Sequence, residues 1–227
     1  MSKTTIPTGG ITADAINGTL IADDAINSEH YTDGSIDTAH IGDSQVTSAK
    51  TSGVGGLVKI TSGSVSSGDA YVALTNKFSS TYKIYKIFLY DWNTSQDSEV
   101  RLRWLTGGSG NVESGSNTYF VAGSGYNTDG GGSSWQAQSD YMRIAGEDVR
   151  HDADEHFAWE GTLYNPAGTT LKKRLVFAGG GRRTGNYTFS AHGTGEWNST
   201  TAITGVRIFT SSGTFDSLSY AIYGVVN

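Results

Sequence analysis

Hydrophobic residues follow two rhythms along this chain. From Ile6 to Val46 an aliphatic or aromatic side chain recurs at every fifth position, through Ile6, Ile11, Ile16, Ile21, Ile26, Tyr31, Ile36, Ile41 and Val46, with small or polar residues between them. From Leu57 onward apolar residues come in short alternating runs punctuated by Gly and Ser. The first rhythm belongs to no simple element. On an α-helix a step of five advances the face by about 140° beyond a full turn, so no stripe forms. On a strand an odd step sends successive apolar residues to opposite faces. The chain must therefore turn within each unit, and Asn17-Gly18 and Asp33-Gly34 are turn dipeptides in suitable places.

From Ile21 the unit doubles to ten residues, IADDAINSEH, YTDGSIDTAH and IGDSQVTSAK, with Asp23, Asp33 and Asp43 in one place and His30, His40 and Lys50 in another. One apolar residue in five cannot build a core within one chain. It can if several copies wind about a common axis, each giving one side chain per layer, and a homotrimer is the expected assembly. A disordered tail would need no period. A single-chain pentapeptide β-helix wants a small residue two places before each apolar one, where this chain has Asp14, Thr19, Asp24 and Glu29.

The second rhythm predicts strands. Short ones are expected at 57–60 and 70–74. The segment 82–92 places Ile84, Phe88, Tyr90 and Trp92 on one face and Tyr85, Ile87 and Leu89 on the other, the pattern of a strand covered on both sides. Segment 99–105 points Val100, Leu102 and Trp104 inward and Arg101 and Arg103 outward. Segment 157–164 alternates Phe157, Trp159, Gly161 and Leu163. Further strands are expected at 135–144, 171–178, 187–190, 203–209 and 218–226. Residues 106–134 read as a long irregular loop with a strand only at 119–122, and 179–185 as a second Gly-rich loop. Roughly nine strands with long loops predict an all-β chain: a repeat arm over 1–52, then a jelly-roll-like β-sandwich over 53–227.

The repeat over roughly the first fifty residues, in its IxDxxIxTAH-like and VTSAK phrasing, resembles the repeats of tail-fibre and other appendage proteins of tailed bacteriophages, marine ones especially. Gly205 to Phe209, the Ser212-Gly213 turn and Tyr220 to Gly224 resemble the closing hairpin of β-sandwich domains at the ends of such fibres. The resemblance implies a non-enzymatic structural protein of the virion, assembled in the host cytoplasm, as a short trimeric fibre or spike on tail or head. Its arm would dock on other virion proteins and its distal domain would touch the host surface. A capsid decoration protein with a threaded arm is the second expectation, and a polysaccharide depolymerase the third.

Composition narrows the chemistry. Of 227 residues 31 are Gly and only 2 Pro, which with abundant Ser and Thr fits strands and turns. A formal net charge of -6 without a basic stretch argues against a nucleic-acid partner. No apolar run approaches the roughly 18 residues of a membrane span, so no membrane insertion is expected, and MSKTTIPTGG carries no secretory pattern. With no Cys there is neither a disulfide framework nor thiol chemistry. His151, Asp152, Asp154, Glu155 and His156 are the densest titratable run but read as a solvated loop, and Asp129 lacks the acidic spacing of a calcium loop. No catalytic motif, metal site or cofactor is expected. Surface recognition remains. Tyr126, Trp135, Tyr187 and Trp197 lie in or beside Gly/Ser-rich stretches and offer flat rings for a host polysaccharide. Arg182 and Arg183 offer forks for its carboxylate or phosphate groups.

Overall fold

The computed structural model describes residues 6, 7, 9–13, 15–17, 19–22, 25, 26, 28–37, 39–42, 45, 46, 50, 56–128, 130, 132–145, 149, 156–183 and 187–226, with the backbone alone at 133, 135, 136 and 183. The chain divides into two compact units, Met1–Ser52 and Gly53–Asn227.

In the first unit the fifth-position rhythm is written into the backbone. After Ile6, Ile11, Ile16, Ile21, Tyr31, Ile36 and Ile41 the next residue accepts a hydrogen bond from the amide three places on: Gly10 to Pro7, Ala15 to Thr12, Leu20 to Asn17, Ala25 to Ala22, Ser35 to Thr32, His40 to Asp37 and Gln45 to Gly42. Each is a β-turn closed by the i to i+3 bond, so every such unit spends its polar residues on turning. Ser28–His30 forms a single 3-10 turn. The apolar side chains gain no cover from this arrangement. Ile6 is 63% exposed and even Ile41 is 40% exposed, while Ile21 is half-buried.

The second unit is all-β. Among the described residues its strands form two antiparallel sheets, an arrangement consistent with a β-sandwich. In chain order they are β1 (Leu57–Ser66), β2 (Tyr71–Leu74), β3 (Ile84–Thr94), β4 (Val100–Thr106), β5 (Asn111–Val112), β6 (Tyr119–Asn127), β7 (Gly132–Ser139), β8 (Met142–Arg143), β9 (Phe157–Tyr164), β10 (Lys173–Arg183), β11 (Tyr187–Trp197), β12 (Ile203–Thr210) and β13 (Phe215–Val225). The larger sheet runs β1-β13-β3-β9-β10-β11-β6-β7; the smaller runs β2-β12-β4-β5, with β8 also pairing β4.

Inward residues of both sheets share one core. Val100, Leu102 and Trp104 are fully buried, as are Phe157 and Leu163, so the alternation read from the sequence holds on β4 and β9. Rings pack through this core: Trp92 meets Phe215 edge-on at 4.8 Å within the larger sheet, and Phe78 bridges the layers, 5.0 Å from Tyr85 and 6.4 Å from Trp104.

Three expectations are corrected. On β3, Trp92 does not share the outer face with Ile84, Phe88 and Tyr90. The register shifts between Leu89 and Trp92, with Asp91 at φ 52°, and this bulge turns Trp92 inward beside Tyr85, Ile87 and Leu89, where it is fully buried. The supposed loop 106–134 is largely sheet, because β6 and β7 pair from Tyr119↔Ser139 to Tyr126↔Gly132. The supposed loop 179–185 is sheet as far as Arg183. Glycine discouraged a strand reading here, yet β10, β11 and β6 are interior strands with ladders on both sides. Aromatic rings from neighbouring positions fill the space over their glycines. A Cβ on Gly179 would lie 2.8 Å from Trp159 Cδ1, and one on Gly193 2.8 Å from Phe177 Cζ.

Candidate surface-recognition site

The outward residues of β9, β10, β11 and β6 form a broad mixed surface. Cross-strand register aligns Tyr164 with Arg174 and Arg174 with Glu196, then Glu196 with Phe120. The next outward row joins Thr162, Val176, Thr194 and Ala122, and the following one Glu160, Ala178, His192 and Ser124. A shallow depression of about 590 Å³ lies over Phe120, Ala122, Gln138, Arg174, Thr194 and Glu196. A second of about 340 Å³ shares Ala122 and Thr194 and extends over Val176, His192 and Ser124.

The polar groups here are held by each other. Glu196 accepts from Arg174 Nε at 3.2 Å and pairs with Lys172 Nζ at 3.6 Å. His192 Nε2 lies 3.0 Å from Ser124 Oγ. Fixed carboxylate, guanidinium and amide groups beside apolar Phe120 and Val176 suit a ligand with hydroxyl edges and apolar faces. Glu160 and Glu196, the glutamates of these rows, lie two strands and four residues apart, which places their Cα atoms about 16 Å apart.

The residues singled out in the sequence separate into groups. Tyr126 is 67% exposed at the end of β6, in register with Ser190 and hence on the row of Gly180. Arg182 pairs with Thr188 one outward row further on, and Tyr187, 38% exposed, pairs with Arg183. Tyr126 and Arg182 thus lie on successive outward rows at one end of the larger sheet, while Tyr187, at the same end, belongs to the alternate series of Phe189. Trp135 pairs with Gly123 through its backbone; the side chains of Trp135 and Arg183 lie outside the described residues, as do Asp129 and residues 151–155. Trp197 is no surface ring. It is 3% exposed and stacks on Tyr119 at 6.5 Å in the core. Its place in the series Phe189, Ala191, Gly193, Gly195, Trp197 was the available signal, since these alternate residues face inward together.

Sequence reading passed over the depression itself, whose lining is drawn from strands hidden in Gly/Ser-rich text. It also passed over the outer face of the smaller sheet, where Arg101, Arg103 and Arg207 lie on aromatic rings. No family model, curated protein or solved structure matches the chain.

Proposed function

We propose that this chain is a structural appendage protein of a bacteriophage particle, a short homotrimeric fibre or spike whose C-terminal unit binds host surface polysaccharide. The observation that carries the reading is the apolar ladder. Ile6, Ile11, Ile16, Ile26, Tyr31, Ile36, Ile41 and Val46 are 40–63% exposed in a single chain, and the same i to i+3 turn follows Ile6, Ile11, Ile16, Tyr31, Ile36 and Ile41. Regularly spaced apolar residues that one chain leaves in water are what intertwined copies, or a docking surface on another virion protein, would cover.

Two further features support it. The strand order β1-β13-β3-β9 beside β2-β12-β4-β5 has successive strands β1 to β4 alternating between sheets and the last two returning between them, which favours the jelly-roll form of a β-sandwich. The depression over Phe120 and Glu196 supplies a ring, an ion pair and one side-chain amide around a single carboxylate, which favours binding over cleavage.

Sedimentation of the full chain at micromolar concentration tests the assembly: a trimer is expected and a clean monomer overturns it. Antibody raised against residues 53–227 should decorate intact phage particles at one defined locus. Particles that carry the chain at no locus would overturn the appendage reading.

A further inference from the structure

We propose that the outer face of the smaller sheet is a binding site for anionic groups, carboxylate or sulfate, of an acidic polysaccharide, with Arg207 as its central contact. The surface-recognition reading supplies the source of the anion; the site itself rests on independent geometry.

Strands β2, β12 and β4 lie side by side, and their register sets Arg207 directly opposite Arg103 on one flank and Ala73 on the other. The adjacent outward row carries Tyr71, Phe209 and Arg101, followed by Arg143 on β8. The guanidinium of Arg207 lies over Tyr71 at 3.7 Å from the ring centre and 5.9 Å from that of Phe209. Arg103 covers Phe209 at 4.9 Å, and Arg101 covers Tyr141 at 4.1 Å. Cationic side chains are therefore aligned and stiffened on aromatic supports, in a protein whose net charge is -6.

Charge compensation on this face is uneven. Glu99 pairs with both Arg101 and Arg143, the latter at 3.3 Å. Arg103 pairs with Asp140 through its terminal nitrogen, and its Nε donates to the Asp140 carbonyl at 2.9 Å. Among the described residues Arg207 pairs with no carboxylate, and its buried Nε has no hydrogen-bond acceptor. Like charges directly opposite on neighbouring strands are destabilising, so what Arg207 gains on the Tyr71 ring is offset in part by its facing Arg103. An anion bridging the two would remove that repulsion, and a guanidinium fork matches a carboxylate or sulfate in two parallel hydrogen bonds.

The polymer class follows from what covers the rings. Single-stranded nucleic acid binds by stacking bases on free aromatic faces, but guanidinium groups already occupy faces of Tyr71, Phe209 and Tyr141. Duplex nucleic acid carries about one charge per 1.7 Å, far denser than the one uncompensated arginine among those described on this face can exploit. A glycan with spaced anionic groups fits both constraints.

The full chain and its R207Q and R207K variants would be titrated with dextran sulfate, polygalacturonate, neutral dextran and a single-stranded oligonucleotide, with melting temperatures measured alongside. The wild type should bind at least one of the two polyanionic glycans, weakening with added salt, and should ignore neutral dextran. R207Q should bind about tenfold more weakly with an unchanged or raised melting temperature, since it relieves the facing charges. R207K keeps the charge but loses the fork, so it should weaken binding less and guards against misfolding of R207Q. Unchanged affinity in both variants, no binding of either polyanion, or an oligonucleotide bound as tightly as the glycans would each overturn the inference. A monomeric chain that still binds through Arg207 would leave it standing and defeat only the fibre reading. A trimer indifferent to polyanions would do the reverse.

Discussion

The phenolic oxygen of Tyr119, on the larger sheet, accepts a hydrogen bond from the backbone N–H of Trp104, on the smaller sheet, at 2.8 Å. The same hydroxyl donates to the Glu113 carbonyl at 2.9 Å. One buried side chain thus joins the two layers and the loop after β5. Tyr119→Phe keeps the ring against Trp197 but leaves a buried amide and carbonyl without their partner, at a cost of about 1–3 kcal/mol. Burial pushes the Tyr119 phenol up from its ordinary 10.0. The folded chain therefore holds a proton that the unfolded chain releases above pH 10.0, and this stabilisation is lost as pH rises through that region. Chemical denaturation across alkaline pH should show a steeper loss for the wild type than for the variant.

Lys173 is a second buried tie. Its ammonium donates to the carbonyls of Gly168, of Leu171 at 2.9 Å and of Thr200 at 3.2 Å, gathering two loops at the start of β10. Lys173→Met should lower stability by about 2–4 kcal/mol, because it strands those carbonyls. Burial holds the Lys173 amine below its ordinary 10.5, so the unfolded chain binds the extra proton between the two values. Wild-type stability should therefore gain from this group as pH climbs toward 10.5, a gain absent from the variant in parallel denaturant titrations.

In the repeat unit, position should matter more than charge. Ile36 is 46% exposed in the single chain and its neighbour Ser35 is also exposed. If copies wind about a shared axis, Ile36→Asp buries an unpaired carboxylate from every chain and should abolish the trimer, at several kcal/mol per copy. Ser35→Asp should sediment as the wild type does. Equal sedimentation of the two variants would mean that no packed axis exists.

Tyr126 and Trp197, alike to a reader of the sequence, should respond oppositely. Trp197→Ala opens a cavity in the core and should cost about 3–5 kcal/mol. Tyr126→Ala, at a 67% exposed position, should leave the melting temperature within about a degree or two and weaken glycan binding if the end of the larger sheet contributes contacts. Thermal melts and glycan titrations of the pair separate the roles.

What could be read in advance followed from periodicity. Val100, Leu102 and Trp104 alternate without interruption, and so do Phe157, Trp159, Gly161 and Leu163, so those faces were plain from the letters. Trp92 was assigned to the wrong face because one inserted residue at Asp91 is invisible to a count of two. The second half of β6, the start of β7 and the end of β10 read as loop because glycines there lack the side chains that make a strand legible; the cover over Gly179 comes from Trp159 on the neighbouring strand. The outward direction of Arg101 and Arg103 is legible in the alternation of their strand. That Arg207 confronts Arg103 depends on β12 lying beside β4, a contact across a hundred residues that no local pattern encodes.

The meeting of β9 and β10 has a consequence for how the sheet avoids assembling incorrectly. Trp159 stands opposite Gly179 and Gly161 opposite Phe177, and a Cβ on Gly161 would lie 2.2 Å from the Trp159 ring. Alternation of inward and outward residues is a parity check: it detects a slip by one place, which turns the strand inside out, but is blind to a slip by two. The bulky-against-empty pairing supplies the missing information. Shifted two places one way, Trp159 collides with Phe177; shifted the other way, Gly161 faces Gly179 across a hole. The glycines that made this region hard to read are thus the digits that let the chain correct an error its hydrophobic code cannot see.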